Sequence, residues 1–66
     1  MPYVNIKVAG KISKEEKKKL IEGTAELLKE VLNKPYDATY TTIEEVDPDN
    51  WGKGKDTISE LRAKKS

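Results

Sequence analysis

Proline stands second in this chain, in the run Met1-Pro2-Tyr3-Val4-Asn5-Ile6-Lys7-Val8. If Met1 is removed, Pro2 carries a free secondary amine, a basic nitrogen that no proline inside a chain possesses. An α-amino group has a reference pKa of about 8. Desolvation or a neighbouring cation lowers it, and a base that titrates close to the working pH is what proton shuttling needs. The other residue types offer little competition. Histidine and cysteine are both absent, which removes Ser-His and Cys-His nucleophile systems and the usual zinc sites. Gly52 and Gly54 do not make a phosphate loop, because neither a strand-loop-helix setting nor a Lys-Ser/Thr ending follows. The run Lys17-Lys18-Lys19 reads as a solvated helix face. None of Tyr3, Tyr36, Tyr40 or Trp51 interleaves with it as a nucleic-acid surface requires.

The elements that would position this amine follow from the patterning. Val4, Ile6 and Val8 alternate with Tyr3, Asn5 and Lys7, the period of a half-buried strand. Pro2 is tolerated at its start, where a backbone donor is not needed. Ala9 to Ile12 form a loop with Gly10 as its flexible point. Ser13 and Glu16 then make a capping box that opens a helix, with Glu15 and Glu16 at the positive end of its dipole. Leu20, Ile21, Thr24, Ala25, Leu27, Leu28, Val31 and Leu32 fall on one stripe about 160° wide at helical spacing. Lys17 projects onto the middle of that stripe; its stem can pack there while the ammonium reaches past the sheet. Asn33 and Pro35 end the helix. Thr39 to Val46 are rich in β-branched and aromatic residues and read as a second strand, though the alternation is poor. Asp47-Pro48-Asp49-Asn50 is a turn cluster. Trp51-Gly52-Lys53-Gly54 suggests a tight loop or short hairpin, Ile58 and Leu61 a small C-terminal element, and Ala63 to Ser66 a solvated tail.

Strand, helix and strand in this order make a single α/β domain over residues 1–66, a β-α-β unit with parallel strands. At 66 residues a domain buries only about 60% of its unfolded surface. With no disulfide available, self-association is the remaining remedy. A two-stranded parallel sheet under one helix also leaves edges and one face uncovered. An obligate homo-oligomer is therefore expected. The 13 basic and 12 acidic residues leave a net charge of +1, which supplies no long-range attraction to nucleic acid or membrane. No apolar run is long enough to span a bilayer and no secretory h-region is present, so a cytoplasmic protein is the expectation. The 38% of charged residues, dominated by Lys and Glu with no glutamine, leans weakly toward a heat-loving source.

This layout resembles the 4-oxalocrotonate (2-hydroxymuconate) tautomerase family. Met1-Pro2-Tyr3-Val4-Asn5-Ile6, Ser13 through Ile21, and Ile43-Glu44-Glu45-Val46 followed by Asn50-Trp51-Gly52 carry the resemblance, by their order and spacing in so short a chain. It implies a cofactor-free tautomerase acting on the enol or keto form of a small 2-oxo acid, assembled as a homohexamer of paired dimers with its sites between subunits. Pro2 takes the family's role of general base and then acid, and Trp51 that of the aromatic residue that makes the site apolar. The family binds substrate oxygens with two arginines. Where these would stand, the chain has Ile12, with Lys11 adjacent, and Tyr40; Lys11 and Tyr40 are thus the candidate substrate contacts. Lysine lacks the bidentate fork of arginine, and a phenol brings no charge. The single arginine, Arg62, lies near the chain's end, from where it could reach a neighbour's site. A monocarboxylate enol of the phenylpyruvate type, hydration or decarboxylation on the same scaffold, and a non-catalytic oligomer are the alternatives.

Overall fold

The computed structural model of the chain describes residues 2–64. Met1, whose removal the proline chemistry requires, lies outside the described residues, as do the last two residues of the expected tail. The chain runs β1 (Tyr3–Ala9), α1 (Lys14–Leu32), β2 (Tyr40–Val46), the two-residue strands β3 (Gly52–Lys53) and β4 (Asp56–Thr57), and α2 (Ile58–Lys64). β1 and β2 are parallel, in register from Tyr3 opposite Tyr40 to Ala9 opposite Val46. β3 and β4 form the short antiparallel hairpin. The β-α-β unit is as the sequence reads, and α2 extends the C-terminal element through Lys64, two residues into the expected tail.

The helix boundaries come from local chemistry. The Ser13 hydroxyl accepts from the backbone N–H of Glu16 at 3.0 Å, and the Glu16 carboxylate accepts from the N–H of Ser13 at 2.8 Å. Asn33 ends α1 in the left-handed conformation at φ 54°, its N–H donating to the carbonyl of Lys29 at 2.9 Å. A second capping box opens α2. Thr57 N–H donates to the Glu60 carboxylate at 2.8 Å, and Glu60 N–H donates to the Thr57 hydroxyl at 3.1 Å. Lys64 reaches Asp56 of β4 at 3.9 Å, which helps tie down residues expected to be solvated.

α1 covers one face of the β1–β2 sheet, where Val4, Ile6, Val8, Thr41 and Ile43 are half-buried. The poor alternation of β2 has its cause on that face. Glu45 follows Thr41 and Ile43 inward, and there its carboxylate meets the Lys17 ammonium at 3.1 Å. The two polar residues that break the patterns of helix and strand are therefore each other's partner. The opposite face is polar and uncovered. Tyr3 and Thr42 hydroxyls hydrogen-bond at 2.7 Å, the Asn5 amide donates to Thr42 at 2.7 Å and to Glu44 at 2.9 Å, and Lys7 pairs with Glu44 at 3.5 Å.

None of the described residues is buried in the single chain. Its accessible surface is 5321 Å², whereas a compact monomer of 7.5 kDa exposes about 4,200 Å². Its radius of gyration is 15.2 Å, against about 11 Å for a globule of this length. Only the part of the α1 stripe around Lys17, Thr24, Ala25 and Leu28 rests on the sheet; Leu20, Leu27 and Val31 form an exposed row along its flank. One helix is too wide in its apolar arc for two strands to cover.

Candidate active site

Pro2 leads into β1, half-buried, and its carbonyl accepts the backbone N–H of Tyr40 at 3.0 Å. That bond is one step beyond the Tyr3–Tyr40 pair, so the parallel register carries Tyr40 to the side of Pro2. Tyr3 and Tyr40 alternate onto the uncovered face, with 62% and 52% of their surface exposed. At this end of the uncovered face the strands present two phenols.

Lys11 lies at the other end of the sheet, in the loop between β1 and α1. Three contacts fix this loop. Gly10 N–H donates to the Val46 carbonyl at 2.8 Å. Ile12 N–H donates to the Glu45 carboxylate at 2.9 Å. The Arg62 guanidinium donates to the Ala9 carbonyl at 3.0 Å. Gly10 has φ +116°, which a side chain rarely adopts, and a Cβ there would stand 3.6 Å from the guanidinium. Lys11 is exposed between these anchored neighbours and borders an open groove of about 350 Å³ with Gly10, Glu45, Val46, Asp47 and Pro48. Trp51 is also at this end. It is half-buried, its carbonyl accepts from Ile58 N–H at 2.8 Å, and it lines a second groove with Lys7, Val46, Asn50 and Gly52.

The four candidates therefore form two pairs. Pro2 and Tyr40 lie at the leading ends of the strands, joined by a backbone bond, and Lys11 and Trp51 lie beyond their trailing ends. The seven-residue strand between them is about 20 Å long at ~3.3 Å per residue. Within one chain the two pairs thus stand a strand length apart.

Two residues outside the candidate set hold the trailing end together. Arg62, near the chain's end, is bonded to the β1 terminus. Glu45 bridges Ile12 N–H and Lys17. The Ile12 N–H, then the Lys17 ammonium, hold the Glu45 carboxyl below the ordinary carboxylate range, and the Lys11 charge adds to the effect. The sequence carried a signal for this: an acid at an inward strand position, together with a lysine on the apolar stripe of the helix.

Comparison with known proteins bears on what this arrangement does. Residues 2–60 match the family described as tautomerase enzymes. The chain is 40% identical to a probable tautomerase of Dickeya dadantii, over the whole of both chains. It is similar to the crystal structure of DmpI from Helicobacter pylori, at 37% identity and a TM-score of 0.89, covering 94% of this chain and 97% of that one. It is also similar to a heterohexamer 4-oxalocrotonate tautomerase from Chloroflexus aurantiacus, at 26% identity and a TM-score of 0.84, covering 94% and 100%.

Proposed function

The chain belongs to the tautomerase family, and on that premise we propose that it interconverts the enol and keto forms of a small 2-oxo acid of the 4-oxalocrotonate (2-hydroxymuconate) type. The neutral Pro2 amine removes a proton from the enol hydroxyl or from the carbon beside the carbonyl. The resulting ammonium returns it at another carbon, so one group serves as base and then acid and no cofactor takes part. The observation that carries this reading is the family match, which begins at Pro2. The backbone bond from Tyr40 that fixes Pro2 at 3.0 Å supports it.

Lys11 is the contact for a substrate carboxylate, Tyr40 donates a hydrogen bond to a substrate oxygen, and Trp51 excludes water. Because the strand length separates Pro2 and Tyr40 from Lys11 and Trp51, the site is completed between copies of the chain. A homohexamer is the assembly proposed, by analogy with the relative named a heterohexamer. The uncharged Tyr40 at this end of β2 also favours a second reading, a monocarboxylate enol of the phenylpyruvate type. Relative rates on monoacid and diacid enols separate the two.

The test is ketonisation of 2-hydroxymuconate and of phenylenolpyruvate by the purified assembly, after mass spectrometry has established that Pro2 is the first residue. Pro2→Ala is expected to lower kcat by roughly a hundredfold or more, the scale of a lost general base. Unchanged turnover in that variant, or a mature chain that retains Met1, would leave a non-catalytic oligomer as the better account.

A further inference from the structure

We propose that Glu45 is a positioning residue for this reaction, acting through the β1–α1 loop to hold Lys11 in place for the substrate carboxylate. The proposal rests on the reading of Lys11 as that contact.

Lys11 is exposed. Its location is set by what anchors residues 9, 10 and 12. The anchors at Ala9 and Gly10 precede it, coming from Arg62 and from the Val46 carbonyl. On the helix side, the Ile12 N–H is held only by the Glu45 carboxylate, at 2.9 Å, among the hydrogen bonds described for the loop. Without that acceptor, the loop is still fixed at Gly10 and, through the capping box, at Ser13, but Lys11 and Ile12 between them lose the tie to β2. The second carboxylate oxygen of Glu45 takes the Lys17 ammonium at 3.1 Å, so Glu45 is itself oriented from the helix. Its position in β2, next to Val46, places it beneath the groove that Lys11 borders. A charged acceptor that bridges a loop N–H and a helix lysine preorganises the loop, and a misplacement of about 1 Å in a substrate-holding group can cost a hundredfold in rate.

Loss of the tie to Ile12 and loss of the ion pair to Lys17 can be told apart. Glutamine at position 45 keeps an acceptor for the Ile12 N–H but loses the charge. Alanine loses both. Lys17→Met removes the ion pair and leaves the acceptor. If the loop is what matters, Glu45→Ala raises KM by on the order of tenfold, as expected for losing a hydrogen bond to a charged group. Glu45→Gln and Lys17→Met then stay within about twofold of wild type, and the inflection of the pH profile assigned to Pro2 does not move in any of them. Lys11→Ala raises KM similarly, and adding it to Glu45→Ala raises KM little further, because the two act on one interaction. Amide hydrogen exchange supplies a readout independent of turnover: the Ile12 N–H exchanges faster in Glu45→Ala and remains protected in Glu45→Gln.

If Lys11→Ala raises KM and Glu45→Ala does not, or if Ile12 exchange is the same in all variants, the positioning role is overturned while the reading of Lys11 stands. If Lys11→Ala leaves KM unchanged, the reading of Lys11 fails and takes the positioning role with it. Equal KM increases in Glu45→Ala, Glu45→Gln and Lys17→Met would assign the effect to the ion pair and overturn the proposal as well.

Discussion

The Glu45 carboxylate has a second consequence, for stability against acid. Its bonds to the Ile12 N–H and the Lys17 ammonium favour the charged form, so its folded pKa lies below its unfolded one. The unfolded chain therefore binds this proton more readily, and protonation favours unfolding. The stabilisation is complete above the unfolded value of about 4.3 and disappears as pH falls through the folded value. Urea unfolding of wild type and Glu45→Gln should show a gap at pH 7 that narrows below about pH 4. A gap that is the same at both would mean that Glu45 is not linked to folding. Glu16 is lowered in the same direction, first by the Ser13 N–H and then by the Ser13 hydroxyl, so the variant retains part of the acid sensitivity. That Glu45 is the partner of Lys17 was only half legible beforehand. Each residue violates the local pattern of its own element, but a pattern along one element says nothing about which residue of another element lies opposite. The register and the helix packing supply that.

At the level of elements, the sequence was most readable where a signal is local. Ser13-x-x-Glu16 marks the start of α1, Asn33 and Pro35 its end, and the alternation of Val4, Ile6 and Val8 marks β1; all of these are found. The same signature opens α2 as Thr57-x-x-Glu60, although the seven-residue helix it starts is too short to show a clear apolar stripe. What local patterning could not give is the division of the candidate site. Pro2, Lys11, Tyr40 and Trp51 follow from a family resemblance, but their separation follows from the parallel register, which puts Tyr40 beside Pro2 and leaves Lys11 and Trp51 a strand length away. The cap itself is testable. Ser13→Ala removes the acceptor for Glu16 N–H and is expected to cost about 1 kcal/mol, read from urea midpoints at a fixed subunit concentration. Because the cap follows directly on the loop that carries Lys11, hydrogen exchange at Ile12 should quicken slightly as well, but less than in Glu45→Ala.

The whole molecule is where the single chain is incomplete. An excess of roughly 1,000 Å² over the surface of a compact monomer, and a flank row of Leu20, Leu27 and Val31 exposed by 37%, 56% and 67%, are difficult to reconcile with a free subunit in water. At about 25 cal/mol per Å² of apolar surface, covering such a row contributes several kcal/mol, comparable with the entire stability of a small domain. Folding and assembly should then be one process. Two measurements follow from this. The unfolding midpoint of the wild type should rise with subunit concentration, as mass action requires when only the assembled form is stable. Leu27→Glu, which places a charge in the middle of the exposed row, should shift the sedimentation profile to smaller species and lower the helical signal together. Turnover should fall with them, as the proposal of a site completed between copies requires. A variant that stays fully assembled would place the interface elsewhere, and the open polar face carrying Tyr3, Asn5, Lys7 and Tyr40 would be the next surface to probe. A variant that dissociates but keeps its activity would show instead that one chain holds a complete site, contrary to the distance between its two ends.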